Sequence, residues 1–128
     1  MRVRAYFVLL ICLPACAGCG KEKSTDELLE DLKASKENER IGAVRTLPRR
    51  KGDAAKVVPA LIEALKDKKA DVRLSAAIGL GSFGEQAKDA ISALQAAQRD
   101  RDIRIREAAA IALSRIDPQR FPVPSQRN

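Results

Sequence analysis

The sequence has 128 residues, enough for one domain, and its 24 Lys and Arg against 17 Asp and Glu give a net charge of +7. Hydrophobic residues reach 45% but aromatics only 3%; there is no histidine, and Cys12, Cys16 and Cys19 all precede the body. This excludes a disulfide framework or a Cys/His zinc site in the body, and it favours closely packed helices with small residues at their contacts over an aromatic-rich β-sandwich.

Taken in chain order, Arg2 and Arg4 precede an uncharged, mostly apolar run from Ala5 to Ala15. Ala15, Ala17 and Gly18 follow, and the chain turns polar from Gly20 to Ser24. A basic start, a short apolar stretch and small residues at its end read as a secretory leader. A membrane span needs about 20 apolar residues, more than this run holds. The segment resembles the lipobox of bacterial lipoproteins, Leu-(Ala/Ser)-(Gly/Ala)-Cys. Cys16 is preceded by Leu13-Pro14-Ala15, and Cys19 by Cys16-Ala17-Gly18. Cys19 has the typical small pair and Cys16 the typical leucine, so the lipid attachment site is Cys19 or Cys16, with Cys19 slightly preferred. The resemblance implies cleavage before that cysteine and export to a bacterial cell-envelope membrane, held there by acyl chains. The expected organisation is a leader at 1–18, a short tether at 19–23, a repeat domain at 24–118 and a tail at 119–128.

The body repeats itself at a lag of 33 residues. Leu28 aligns with Leu61 and Leu94, Arg40 with Arg73 and Arg106, Ala43 with Ala76 and Ala109, and Leu47 with Leu80 and Leu113. These columns define three copies, 24–53, 54–86 and 87–118, each reading as two helices. Ser24 to Glu27 forms a capping box that opens the first helix. A second helix is expected from about Glu39 to Leu47, ended by Pro48. Pro59 is expected in the first turn of the helix that carries Leu61, Ile62 and Leu65. Asp71 is expected to cap the next helix, with Val72, Ala76, Leu80 and Phe83 on one face and Gly84 as its stop. Ile91 and Leu94 mark the fifth helix; Ile105, Ala109, Leu113 and Ile116 mark the sixth, ended by Pro118. Gly79 and Gly81 suit close backbone approach or early termination. Gln95 and Gln98 replace Ile62 and Leu65 as a polar cap, and Phe121 with Val123 is expected to fold back over the last helix. Ser125 to Asn128 is expected to be disordered.

The run Val72-Arg73-Leu74-Ser75-Ala76-Ala77-Ile78-Gly79-Leu80-Gly81-Ser82-Phe83-Gly84, with Val58 to Asp67 before it, resembles the short HEAT-like repeats first noted in phycobilisome lyases. The third copy matches through Ile105, Arg106, Ala109, Ala110 and Leu113. The first departs most, with Glu39 for Val, Pro48 for Gly and Lys51 for the final Gly. The resemblance covers about 95 residues, 24–118, and implies an all-α fold, a short right-handed α-solenoid of about three helical hairpins. Similar repeats serve in scaffolds, regulators and a few enzymes.

No constellation for catalysis is visible: the body has no His base, no Cys nucleophile and no Gly-Lys-Ser/Thr phosphate loop. The expected role is therefore non-enzymatic, without cofactor or metal. A membrane-tethered module binding an envelope protein is expected; the alternatives are a lyase or lyase accessory, or a spacer on an anionic lipid surface. Missing aromatic platforms and the leader argue against nucleic acid. Arg45, Arg49, Arg50, Lys51 and Arg115 are the partner-binding candidates, with Ile78 and Ile111 either beside them or in the core. Arg40, Arg73 and Arg106 are expected to form a structural ladder with carboxylates such as Glu37, Asp71 or Asp102. Lys66, Lys68, Lys69, Arg99 and Arg101 place further positive charge in the inter-helix turns.

Overall fold

The structure, a computed structural model, describes residues 20–123. The expected leader, all three cysteines and residues 124–128 lie outside the described residues. Among those described, six α-helices form: α1 (Thr25–Leu32), α2 (Glu37–Thr46), α3 (Ala54–Ala64), α4 (Ala70–Phe83), α5 (Ile91–Ala97) and α6 (Ile103–Ile116). Short 3-10 segments at Leu47–Arg49, Lys51–Asp53 and Gly84–Ala90 join them. The fold is all-helical, a short α-solenoid of three hairpins.

Each hairpin is too short to hide its own apolar stripe, so the stripes meet between hairpins. The central helix α4 packs against α2, α3 and α6, and the first helices stand alongside through α1 on α3 and α3 on the 84–90 segment. Leu28, Leu61 and Leu94 are buried in the first-helix layer, and Leu47, Leu80 and Leu113 in the second. The alanine column at 43, 76 and 109 is buried as well.

The two central glycines act by close approach. A methyl on Gly81 would lie 3.0 Å from Ala112 Cα, which places α4 nearly in backbone contact with α6. A methyl on Gly79 would lie 2.7 Å from Pro48 Cγ. Gly84 ends α4 with φ +56°, a conformation that side chains disfavour.

Several boundaries differ from expectation. Helix α2 starts at Glu37, and Pro48 does not break it abruptly but sits in a 3-10 turn. Pro59 lies inside α3 rather than in its first turn. Pro59 and Ala55 are both exposed, so the carbonyl that loses its N–H partner faces water. Asp71 does not cap α4, which begins at Ala70; the Lys69 N–H in the preceding turn is taken by Asp67 at 2.8 Å. Phe121 packs against the core, but Val123 does not cover the last helix and is largely exposed.

Candidate functional site

The arginine column is built the same way in the first two hairpins. Arg40 Nη1 donates to the carbonyls of Ala34 and Ser35 at 2.9 and 3.0 Å. Its Nε and Nη2 donate to Asp67 at 2.8 and 3.3 Å. Arg73 repeats the pattern: Nη1 donates to the Asp67 and Lys68 carbonyls, and Nε and Nη2 donate to Asp100 at 2.8 and 3.1 Å. Arg106 Nη1 donates to the Asp100 and Arg101 carbonyls. The carboxylate partners are therefore Asp67 and Asp100, and Glu37, Asp71 and Asp102 are not among them. The bond runs from one hairpin to the next, so a search for an acid beside each arginine in its own hairpin misses it. The signal was available: Asp67 and Asp100 are themselves 33 residues apart.

Each of these aspartates does two jobs. Asp67 Oδ1 accepts from the Lys69 N–H, and Asp100 Oδ1 from the Asp102 N–H, which fixes the turn while the arginine joins the repeats. For Asp67, burial is the largest influence and raises its pKa, but the hydrogen bonds from Arg40 and Lys69 and the nearby positive charges outweigh it and leave the carboxyl below its ordinary value. Arg73 holds the Asp100 carboxyl down against burial, and Asp100 in turn holds the Arg73 guanidinium up.

The second helices present an open face. Ile78 on α4 and Ile111 on α6 occupy the same register position and are 55% and 51% exposed, so both lie outside the core. A groove of 290 Å³ runs between α4 and α6, lined by Leu74, Ala77, Gly81, Ala108 and Ala112, with Glu107 also on it. Arg115 stands on its edge, and Arg45, one repeat before Ile78 in the same register, is exposed. Arg104 also lines the groove, where it ties Asp71 to Asp102 at 3.4 and 2.8 Å.

The basic cluster between the first two hairpins is placed differently. Arg49 is exposed. Arg50 Nη2 donates to the Lys23 carbonyl at 3.0 Å and meets Glu22 at 3.5 Å, so it holds residues 22–23 beside the start of α1. Lys51 Nζ donates to Ser82 O and Oγ at 2.6 and 2.8 Å and sits 4.1 Å above the Phe83 ring. Lys51 thus neutralises the carbonyl end of α4, and burial lowers its pKa. Helix α1 leads from this cluster to the turn at Ala34, which Arg40 joins to Asp67, so the turns with Lys66, Lys68, Lys69, Arg99 and Arg101 lie at the edge opposite Lys23 and Arg50. At the N-terminal end a 540 Å³ depression opens over Leu28, Gly42 and Ala43, with Asp31, Glu39 and Arg49 on its rim.

Stacked two-helix units joined by an arginine–aspartate ladder define a helical-repeat protein. A family model described as HEAT repeats matches residues 25–114, and the chain belongs to that family. The structure is similar to a chain in the complex of CpcE and CpcF of phycocyanin lyase from Nostoc sp. PCC7120, with a TM-score of 0.69 and 27% identity. The match covers 80% of this chain and 40% of that one. Comparison with curated proteins finds no match.

Proposed function

We propose that this chain is an exported, lipid-tethered HEAT-repeat module that binds a protein partner in the bacterial cell envelope through the exposed face of its second helices. The observation that carries this reading is the pair Ile78 and Ile111, exposed side by side over an apolar groove and close to arginines. Apolar anchors with arginine at the margin suit a protein interface. Export and tethering rest on the leader and on the lipobox resemblance at Cys19 or Cys16. With Lys23 held by Arg50, about four residues of free tether leave Cys19, a reach of roughly 14 Å. The cluster at Arg49, Arg50 and Lys51 then lies on the membrane-facing edge. Two of its three charges are engaged within the protein, which leaves little for an anionic lipid surface.

Capture from detergent-solubilised envelopes with the full chain as bait tests the binding face. Ile78→Asp with Ile111→Asp should lose the specific partner by about tenfold or more while the fold is kept, since both side chains are exposed. Equal capture by parent and variant, or none by either, contradicts the reading. Mass spectrometry of the mature N-terminus tests the tether: a diacylglyceryl cysteine is expected, and an unmodified Met1 contradicts it.

A second reading, a lyase or lyase accessory, is favoured by the likeness to the phycocyanin lyase complex. Bilin transfer above background by the purified chain would establish it in place of the scaffold reading.

A further inference from the structure

Among the described residues, the ladder stops at Arg106. Its Nη1 donates to the carbonyls of Asp100 and Arg101 at 2.9 and 3.2 Å, the same two turn positions that Arg40 and Arg73 use. The guanidinium is thereby clamped in the pose that its two counterparts adopt. In those counterparts the Nε–Nη2 edge closes on an aspartate of the following hairpin. In Arg106 that edge meets no acceptor among the described residues, and the side chain is half-buried rather than sealed off.

We infer that the Nε–Nη2 edge of Arg106 is a docking fork for a carboxylate from a partner protein, supplied by an aspartate or glutamate in the inter-helix turn of a helical hairpin that packs on the C-terminal end of the stack. The chemistry is displayed twice in this molecule, by the same residue type in the same register. Bidentate guanidinium–carboxylate pairs are stronger and more directional than simple charge attraction, and a clamped fork loses little freedom on binding. The ground around the fork suits such a guest. Ile103, one turn before Arg106, is 57% exposed, and Ala110, one turn beyond, is half-buried. Arg99 and Arg101 in the adjoining turn are exposed and add positive charge. A second copy of this chain is not the guest: the residue 33 positions ahead of Asp67 is Ala34, which offers no carboxylate at the matching place.

The fork can be read directly by NMR of the side-chain Nε–H groups in the full chain, labelled with 15N-arginine and held in detergent micelles. The probe is the blocked peptide acetyl-Ala-Ala-Asp-Ala-Ala-amide, with its Asn counterpart as control. Arg106 should half-saturate at a peptide concentration about threefold or more below that of the exposed Arg45 and Arg115, and the Asn peptide should leave it unmoved. Arg106→Lys keeps the charge but removes the fork, so the shifts that the Asp peptide causes at the Ile103 and Gln98 amides should vanish. Equal response at Arg106, Arg45 and Arg115, an equal effect of the Asn peptide, or shifts that survive Arg106→Lys would each overturn the inference. The fork is independent of the Ile78 and Ile111 face, so the double aspartate variant of that face should titrate as the parent does.

Discussion

Asp67 and Asp100 are where one side chain sets both a turn and a joint between repeats. Each accepts a backbone N–H from its own turn and a bidentate arginine from the hairpin before, with side chains only 14% and 13% exposed. Asp67→Asn or Asp100→Asn leaves a mostly buried guanidinium without its counter-charge, at a cost of about 1.5–3 kcal/mol in urea denaturation. Both carboxyls titrate below their ordinary value in the folded chain. The unfolded chain therefore takes up protons first as the solution is acidified. The stabilisation is complete above about pH 4 and is lost as pH falls through the folded pKa. Thermal melts of the parent should drop steeply below about pH 4, and the double Asn variant should show a shallower acid slope. The arginine column was legible in the sequence, because identity at one fixed lag marks a shared role. Its partners were not, because Glu37, Asp71 and Asp102 lie near the turn of each arginine's own hairpin, whereas Asp67 and Asp100 belong to the next hairpin.

Among the elements, α4 carries the packing, with a neighbour on three sides and no room at its glycines. Gly→Ala in a helix interior gains up to about 1 kcal/mol where nothing opposes it. At Gly79 the added methyl meets the stiff Pro48 ring, and at Gly81 it meets the backbone of Ala112. Gly79→Ala and Gly81→Ala should therefore each destabilise by about 1–3 kcal/mol. Gly42→Ala in α2, where a methyl would find nothing within 4 Å, should stabilise by up to about 1 kcal/mol. Calorimetry of the three variants reads the signs directly. Helix count and the buried leucine columns could be read from periodicity, since burial between hairpins enforces the spacing. The ends of α2 and the seat of Pro59 could not. A helix end depends on which backbone groups reach water or a neighbour, and only the assembled stack decides that.

In the whole molecule, stacking sorts the surface into parts with different uses. The edge with Arg50 and Lys51 secures Lys23 and the end of α4, the far edge holds the basic turns, and the second-helix face leaves Ile78 and Ile111 in water. The sequence placed the isoleucines near arginines but left open whether they were core. That depends on which faces of α4 and α6 turn inward: Ala77, Ala108 and Ala112 are buried there, and Ile78 and Ile111 are left outside. The most direct measurement is photo-crosslinking in cells expressing the full chain, with the photoreactive residue placed at 78 or 111 on the second helices, or at 55 or 63 on α3. Positions 78 and 111 should give a discrete protein adduct, and positions 55 and 63 should give none. The same adducts from both faces, or none from 78 and 111, would contradict the account.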